Sequence, residues 1–211
     1  MALVKYNNNS ISTITTPGQL STGKLVPIKT LTASSSSTMS FVHGSSDVVL
    51  DNTYFAYLFI YTQIHPASSG VGFQFNMSTD SGSNYNVSKT STFFEAYHNE
   101  SGSAQLLGSE SGDDLAQGTG FQPLIRNFGN DNDQCGSGLL YLFSPYSTTQ
   151  VKQFIAESSG THESDYNLHD FVAGYGNTTS AVNAVRFQMN SGAIDTGKIK
   201  LYGIKEWVLL N

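Results

Sequence analysis

A single cysteine, Cys135, rules out an internal disulfide, so burial of apolar surface must hold the fold. Charge is scarce as well. Asp, Glu, Lys and Arg together make up 12% of the 211 residues, about half of the ~25% typical of a soluble domain. The net charge is −6 and no dense run of Lys or Arg occurs, which argues against the counterion-release affinity of a nucleic-acid binder. No apolar run approaches the ~20 residues that span a bilayer, so no membrane insertion is expected. Met1–Ser10 lacks the apolar stretch of a secretory signal, which points to synthesis and assembly in a cytoplasm.

What the chain does contain is aromatic side chains (12%) within a hydrophobic fraction of 38%, enough for a sizeable core at this length. Ser, Thr, Asn and Gly fill the space that charge leaves. These residues compete with helix formation through local hydrogen bonds and favour turns, so the composition leans towards β structure. Asn-x-Ser/Thr triplets begin at Asn8, Asn76, Asn86, Asn99 and Asn177, a number that chance explains in so Asn- and Ser-rich a chain.

Residues 1–24 read as an extended N-terminal arm. Polar residues, Gly18 and Gly23 interrupt Ile11, Ile14 and Leu20, so no period buries a face. Residues 25–211 read as a single domain of short strands between Ser/Gly/Asn/Asp turns. Met39 and Phe41 share one face of a strand over 38–43. Residues 54–64 are apolar on both faces, with Tyr57, Phe59 and Tyr61 on one and Leu58 and Ile60 on the other. That pattern predicts a central strand covered on both sides, by a second sheet and by a partner subunit. Val71, Phe73, Phe75 and Met77 alternate with Gln74 and Asn76. Residues 92–98 and 139–143 are further strands, and 151–155 suits either a strand or one helical turn. The polar stretch 100–120 reads as a long surface loop. Val185, Phe187 and Met189 face away from Arg186 and Gln188, and this strand pairs with 198–204 to close the domain. The pattern as a whole predicts an all-β, antiparallel, jelly-roll-like β-sandwich.

Signatures of catalysis are incomplete, and no catalytic residue or cofactor is expected. Gly108–Gly112 has the outline of a nucleophile elbow, but Glu110 stands where the Ser belongs. Asn130–Gly136 resembles the start of a calcium loop, with Asp131 and Asp133 at alternate ligand positions. Cys135 and Leu142 then stand where oxygen ligands are needed, so Asp131 and Asp133 are a weak calcium candidate and a solvated turn is the better reading. His162, Glu163, Asp165, His169 and Asp170 form the densest group of candidate ligands, in a spacing that fits no zinc signature; an exposed turn is expected. Glu95 and His98 lie three apart on a strand and should face opposite ways. Asp113 and Asp114, adjacent in a loop, suit solvation better than glycoside hydrolysis. Tyr85, Tyr97, Tyr166 and Tyr175 are candidates for stacking on sugar rings.

Three segments carry a resemblance. Ala2–Thr15, with its Lys-Tyr-Asn-Asn-Asn-Ser arm, is similar to the start of tail-fibre-like virion structural proteins of marine and cyanobacterial bacteriophages. Val185–Gly192 followed by Gly197–Ile204 resembles the closing hairpin of their β-sandwich, and Phe75–Tyr85 resembles a strand-and-turn segment with Ser81 replacing a Gly. The resemblance implies a non-enzymatic protein on the particle exterior, located in the virion, with other virion proteins and copies of itself as partners. The lack of a long repetitive shaft favours a compact appendage or capsid decoration over a fibre. A host-glycan receptor-binding module is the alternative, and a glycan depolymerase a more distant one.

Overall fold

The structure, a computed structural model, describes residues 25–205; the predicted arm (1–24) and residues 206–211 lie outside the described residues. The described chain is all β. Its strands are β1 (Leu25–Ser36), β2 (Met39–Val42), β3 (Ala56–Pro66), β4 (Val71–Ser78), β5 (Lys89–Asn99), β6 (Gln105–Ser109) and β7 (Ala116–Gly118). They continue as β8 (Gln122–Phe128), β9 (Gly136–Phe143), β10 (Lys152–Thr161), β11 (Tyr166–Gly176), β12 (Ala184–Met189) and β13 (Ile194–Ile204). Two antiparallel sheets form a sandwich. The large sheet has nine strands in the order β1-β13-β3-β9-β10-β11-β5-β6, with β7 also on β5, and the small sheet runs β2-β12-β4-β8.

The core lies where the small sheet covers the inner face of the large one, and alternation explains which side chains reach it. Phe187 of β12 is central. Its ring stacks on Phe73 at 5.8 Å and lies 5.4 Å from Phe59 of the opposite sheet, and Phe41 packs edge-on at 6.3 Å. Each fully buried ring contributes roughly 2–3 kcal/mol of transfer free energy, and favourable ring pairs add ~1 kcal/mol. The expected inward residues of β2, β4 and β12 are all buried. Strand β3 is central as expected, with Tyr57, Phe59 and Tyr61 buried on its inner face. On its outer face Leu58 is buried and Ile60 half-buried, and no described element lies over them.

Of the two readings of 151–155 the strand holds, because β10 alternates strictly and pairs with β9 and β11 along both edges. Three expectations are corrected. The stretch 100–120 is not one loop, since β6 and β7 fold back on β5. The exposed turn expected for His162–Asp170 gives way from Tyr166 onward to strand β11, which pairs with β5 over its full length. The last two strands make no hairpin: β12 belongs to the small sheet and β13 to the large one. Gly192, at φ 75, provides the left-handed conformation that turns the chain from one layer to the other.

Close approach fixes one glycine. A Cβ on Gly138 of β9 would lie 2.4 Å from the Glu157 carbonyl and 2.7 Å from the Tyr61 ring. Its absence lets Tyr61 lie flat beneath the sheet, where its hydroxyl bonds Ser158 of β10.

Candidate functional site

Strand parity puts charge inside the sandwich. On β5, Phe93, Glu95 and Tyr97 point inward, and on β11 Leu168, Asp170 and Val172 do the same. Glu95 and Asp170 are cross-strand partners, so two carboxyls share the interior. Arg126 reaches them from β8, the edge strand of the small sheet. Its Nε–H donates to Glu95 at 3.0 Å, and its Nη1 donates to Glu110 at 2.6 Å and Asp113 at 3.3 Å. Glu110 and Asp113 come from the segment between β6 and β7. The guanidinium therefore ties both sheets and that segment together.

The electrostatics follow from burial. Glu95 and Asp170 are each 1% exposed, and the Asp170 carboxyl lies against the Glu95 carboxyl and the Arg126 backbone. Four carboxyls face one guanidinium, and a buried, uncompensated carboxylate is costly enough that the group takes up a proton instead. Burial first, and then the negative charge of Glu95, push Asp170 far above the usual carboxylate range. It stays protonated at neutral pH. Burial works against the charge on Arg126, but Glu95, Glu110 and Asp113 outweigh it and hold the guanidinium cationic.

This arrangement is a brace between layers. The cavity beside it, lined by Gly70, Gly72, Gln74, Asp113, Arg126 and Asn190 among others, holds ≈ 100 Å³. Ligand sites occupy roughly 300–1,000 Å³, so this space does not admit a sugar ring to the Glu95–Asp170 pair. A second buried cation lies elsewhere in the molecule. Lys89 of β5 donates to Asn76 Oδ1 at 2.6 Å and to the Val87 carbonyl at 2.8 Å, and burial lowers its pKa to about 7. Asn76 in turn donates to the carbonyls of Tyr85, Thr119 and Gly120. Of the five Asn-x-Ser/Thr triplets, the one at Asn76 thus begins with a side chain committed to the interior.

The other sequence candidates fall as follows. Asp131 and Asp133 lie in the turn before β9. The Asp131 carbonyl faces His65 Nε2 at 3.2 Å, its N–H donates to Gln134 Oε1 at 3.1 Å, and Gln134 Nε2 donates to Asp165 at 3.0 Å. Gly136 serves packing, since a Cβ there would lie 2.3 Å from the Phe128 ring. Among the described residues, no three His, Cys, Asp or Glu side chains gather as a metal-holding group. The set from His162 to Asp170 is scattered. His162 stacks on Tyr166, Glu163 meets Ser69, His169 lies 2.8 Å from Glu157 on the outer face, and Asp170 is inside. Glu95 is buried and His98 exposed, as expected for opposite faces. Asp113 and Asp114 are not merely solvated: one binds Arg126 and the other accepts the Phe93 N–H. Tyr85 is no exposed platform, for it is buried beneath the Arg186 guanidinium at 3.9 Å, and Tyr97 stacks on Tyr166 at 5.3 Å.

The brace itself escaped the sequence reading. The available signal was parity: Glu95 and Asp170 occupy inward positions between apolar neighbours. Compared with protein-family models, with curated proteins and with solved structures, the chain has no significant match.

Proposed function

We propose that the chain is a non-enzymatic structural protein of the bacteriophage virion exterior, a compact appendage or capsid decoration anchored by residues 1–24. The observation that carries this reading is the width of the large sheet. The small sheet covers only its inner face, and its outer face presents Phe94, Leu107 and Ile155 at 41%, 71% and 49% exposure, with half-buried Phe171 between them and half-buried Tyr141 beside Ile155. Contiguous exposed apolar surface of this kind marks protein–protein contact, and symmetric assembly supplies many copies to make it. The inter-sheet brace suits a body that must stay rigid outside a cell. The similarity of the Ala2–Thr15 segment to tail-fibre-like proteins supports the anchoring role. Electron cryomicroscopy of intact particles tests the proposal: density for this chain on the capsid or tail is expected, and its absence from particles overturns it. Deleting residues 1–20 should leave a folded domain that fails to incorporate; normal incorporation refutes the anchor.

A second reading, a host-glycan receptor-binding module, is favoured by one feature. A hollow of ≈ 460 Å³ opens at the end of β5 and β11, lined by His98, Asn99, Glu100, Asp165, Tyr166 and Asn167 among others. Polar groups beside an aromatic ring suit a sugar. Binding on a glycan array that is lost in Asn99→Ala and Asn167→Ala variants would establish it; no binding at millimolar glycan would reject it.

A further inference from the structure

We infer that two copies of this chain pack face to face through the outer face of the large sheet, about a two-fold axis parallel to the strands and running between β3 and β9. The inference rests on the assembly reading only in taking a second copy as the partner, and it holds wherever the protein resides.

Register defines the surface. One outward row crosses the sheet as Thr30, Lys200, Ile60, Leu139, Glu157 and Phe171, on β1, β13, β3, β9, β10 and β11 in turn. The next outward row runs Tyr202, Leu58, Tyr141, Ile155 and Ala173, from β13 to β11. The flanking positions Ile199, Leu201, Phe59, Leu140, Ala156 and Ser158 are buried in the core, so strand alternation turns both rows outward. No described element lies over them.

The rows are self-complementary about one axis only. A two-fold between β3 and β9 carries the second strand of the order onto the fifth and the third onto the fourth, and it leaves each row facing itself. Lys200 then meets Glu157 of the second copy, and Glu157 meets its Lys200. Ile60 meets Leu139, Leu58 meets Tyr141, and Tyr202 meets Ile155. An axis moved by one strand spacing sets Lys200 against apolar side chains, desolvated and without a partner, and leaves Glu157 with only His169 of its own chain at 2.8 Å, which costs more than it gains. Charge thus sets the register while apolar contact supplies the affinity. Packed sheets lie ~10 Å apart and cross at about −30°, so contact is best at the strands nearest the axis, β3 and β9, and at β13 and β10 beside them, where these pairs lie. Six strands at ~4.8 Å spacing and these two same-face rows, each covering ~7 Å of strand, give roughly 400 Å² per copy, about 800 Å² in total. That is the size of a weak, transient interface and fits a dimer of high-micromolar affinity that an array of many copies would reinforce.

Sedimentation of the full chain over about 1–200 µM, a range that brackets micromolar affinity, tests this. A monomer–dimer equilibrium is expected. Lys200→Glu and Glu157→Lys should each weaken it by about 10-fold or more, and the two together should restore it to within about 3-fold of the natural chain, the signature of a direct charge pair. A chain that stays monomeric at the top concentration overturns the inference, as does a double variant no tighter than either single one. Dimerisation that appears only after residues 1–24 are removed would make the arm the occupant of this face and likewise overturn it. Because the assay needs no particle, its failure is distinct from failure of the virion proposal, which particle imaging decides.

Discussion

Replacing Asp170 with Asn exchanges a protonated carboxyl for an amide of nearly the same shape, and the consequence is a change in how stability depends on pH. Asp170 is buried against the Glu95 carboxyl, to which its proton can be donated, and its pKa is pushed up to about 9 by burial and then by the charge of Glu95 and the hydrogen bond to it. Between the ordinary carboxylate value near 4 and about 9, the folded chain keeps a proton that the unfolded chain has released. Stability therefore falls as pH rises through that window, by ~1.4 kcal/mol per unit. Lys89 adds an opposing slope only above about 7, so pH 4–7 isolates Asp170 from it. Over those three units the natural chain should lose ~4 kcal/mol relative to Asp170→Asn, which has no proton to hold. For a domain of this size that is a shift of roughly 8–16 °C in Tm. Urea unfolding followed by circular dichroism at pH 4, 5, 6 and 7 measures the gap between the two proteins. A gap that widens by ~1.4 kcal/mol per unit in favour of the variant is expected; one that stays constant within about 1 kcal/mol refutes the protonated, buried carboxyl.

Removing the cation from the brace should act the other way. Arg126→Met strands Glu95 in the interior at a cost of ~3–5 kcal/mol, and adding Glu95→Gln should recover part of that loss in the same unfolding assay. For Lys89, lowered to about 7 by burial, the unfolded chain holds the proton that the folded chain has lost from there up to its ordinary value of 10.5. Lys89 therefore contributes a rise of ~1.4 kcal/mol per unit in that range, which offsets the fall from Asp170 up to about 9 and shows as a net rise above it. Lys89→Met should remove this contribution, so its stability relative to the natural chain should fall by ~1.4 kcal/mol per unit from about pH 7 to 10. Gly138→Ala, which sets a methyl against the Glu157 carbonyl and Tyr61, should cost ~2–3 kcal/mol in thermal melts. Gly112→Ala, with open space around it, should stay within about 0.5 kcal/mol of the natural chain.

Much of the fold was legible in the residues because alternation is a local property. The inward faces of β2, β4 and β12 follow from side chains two residues apart, and the two-sided apolar run of β3 marked it as central before any neighbour was known. The polar strands were harder. In β11 the inward residues Leu168, Asp170 and Val172 include a carboxyl, and β6 and β7 are short, exposed additions to β5. Hydrophobic pattern alone reads such segments as loops, because their pairing energy comes from backbone partners far away in sequence.

The sequence by itself determined the fold class, the core-facing side of the most apolar strands and the lack of an internal disulfide, since composition and period suffice for these. Only the tertiary structure decided that β12 and β13 belong to different sheets and that Gly136 and Gly138 exist for packing. It also decided that Glu95, Glu110, Asp113, Arg126 and Asp170 form one brace, because their convergence depends on strand pairing and layer contact between residues far apart in the chain.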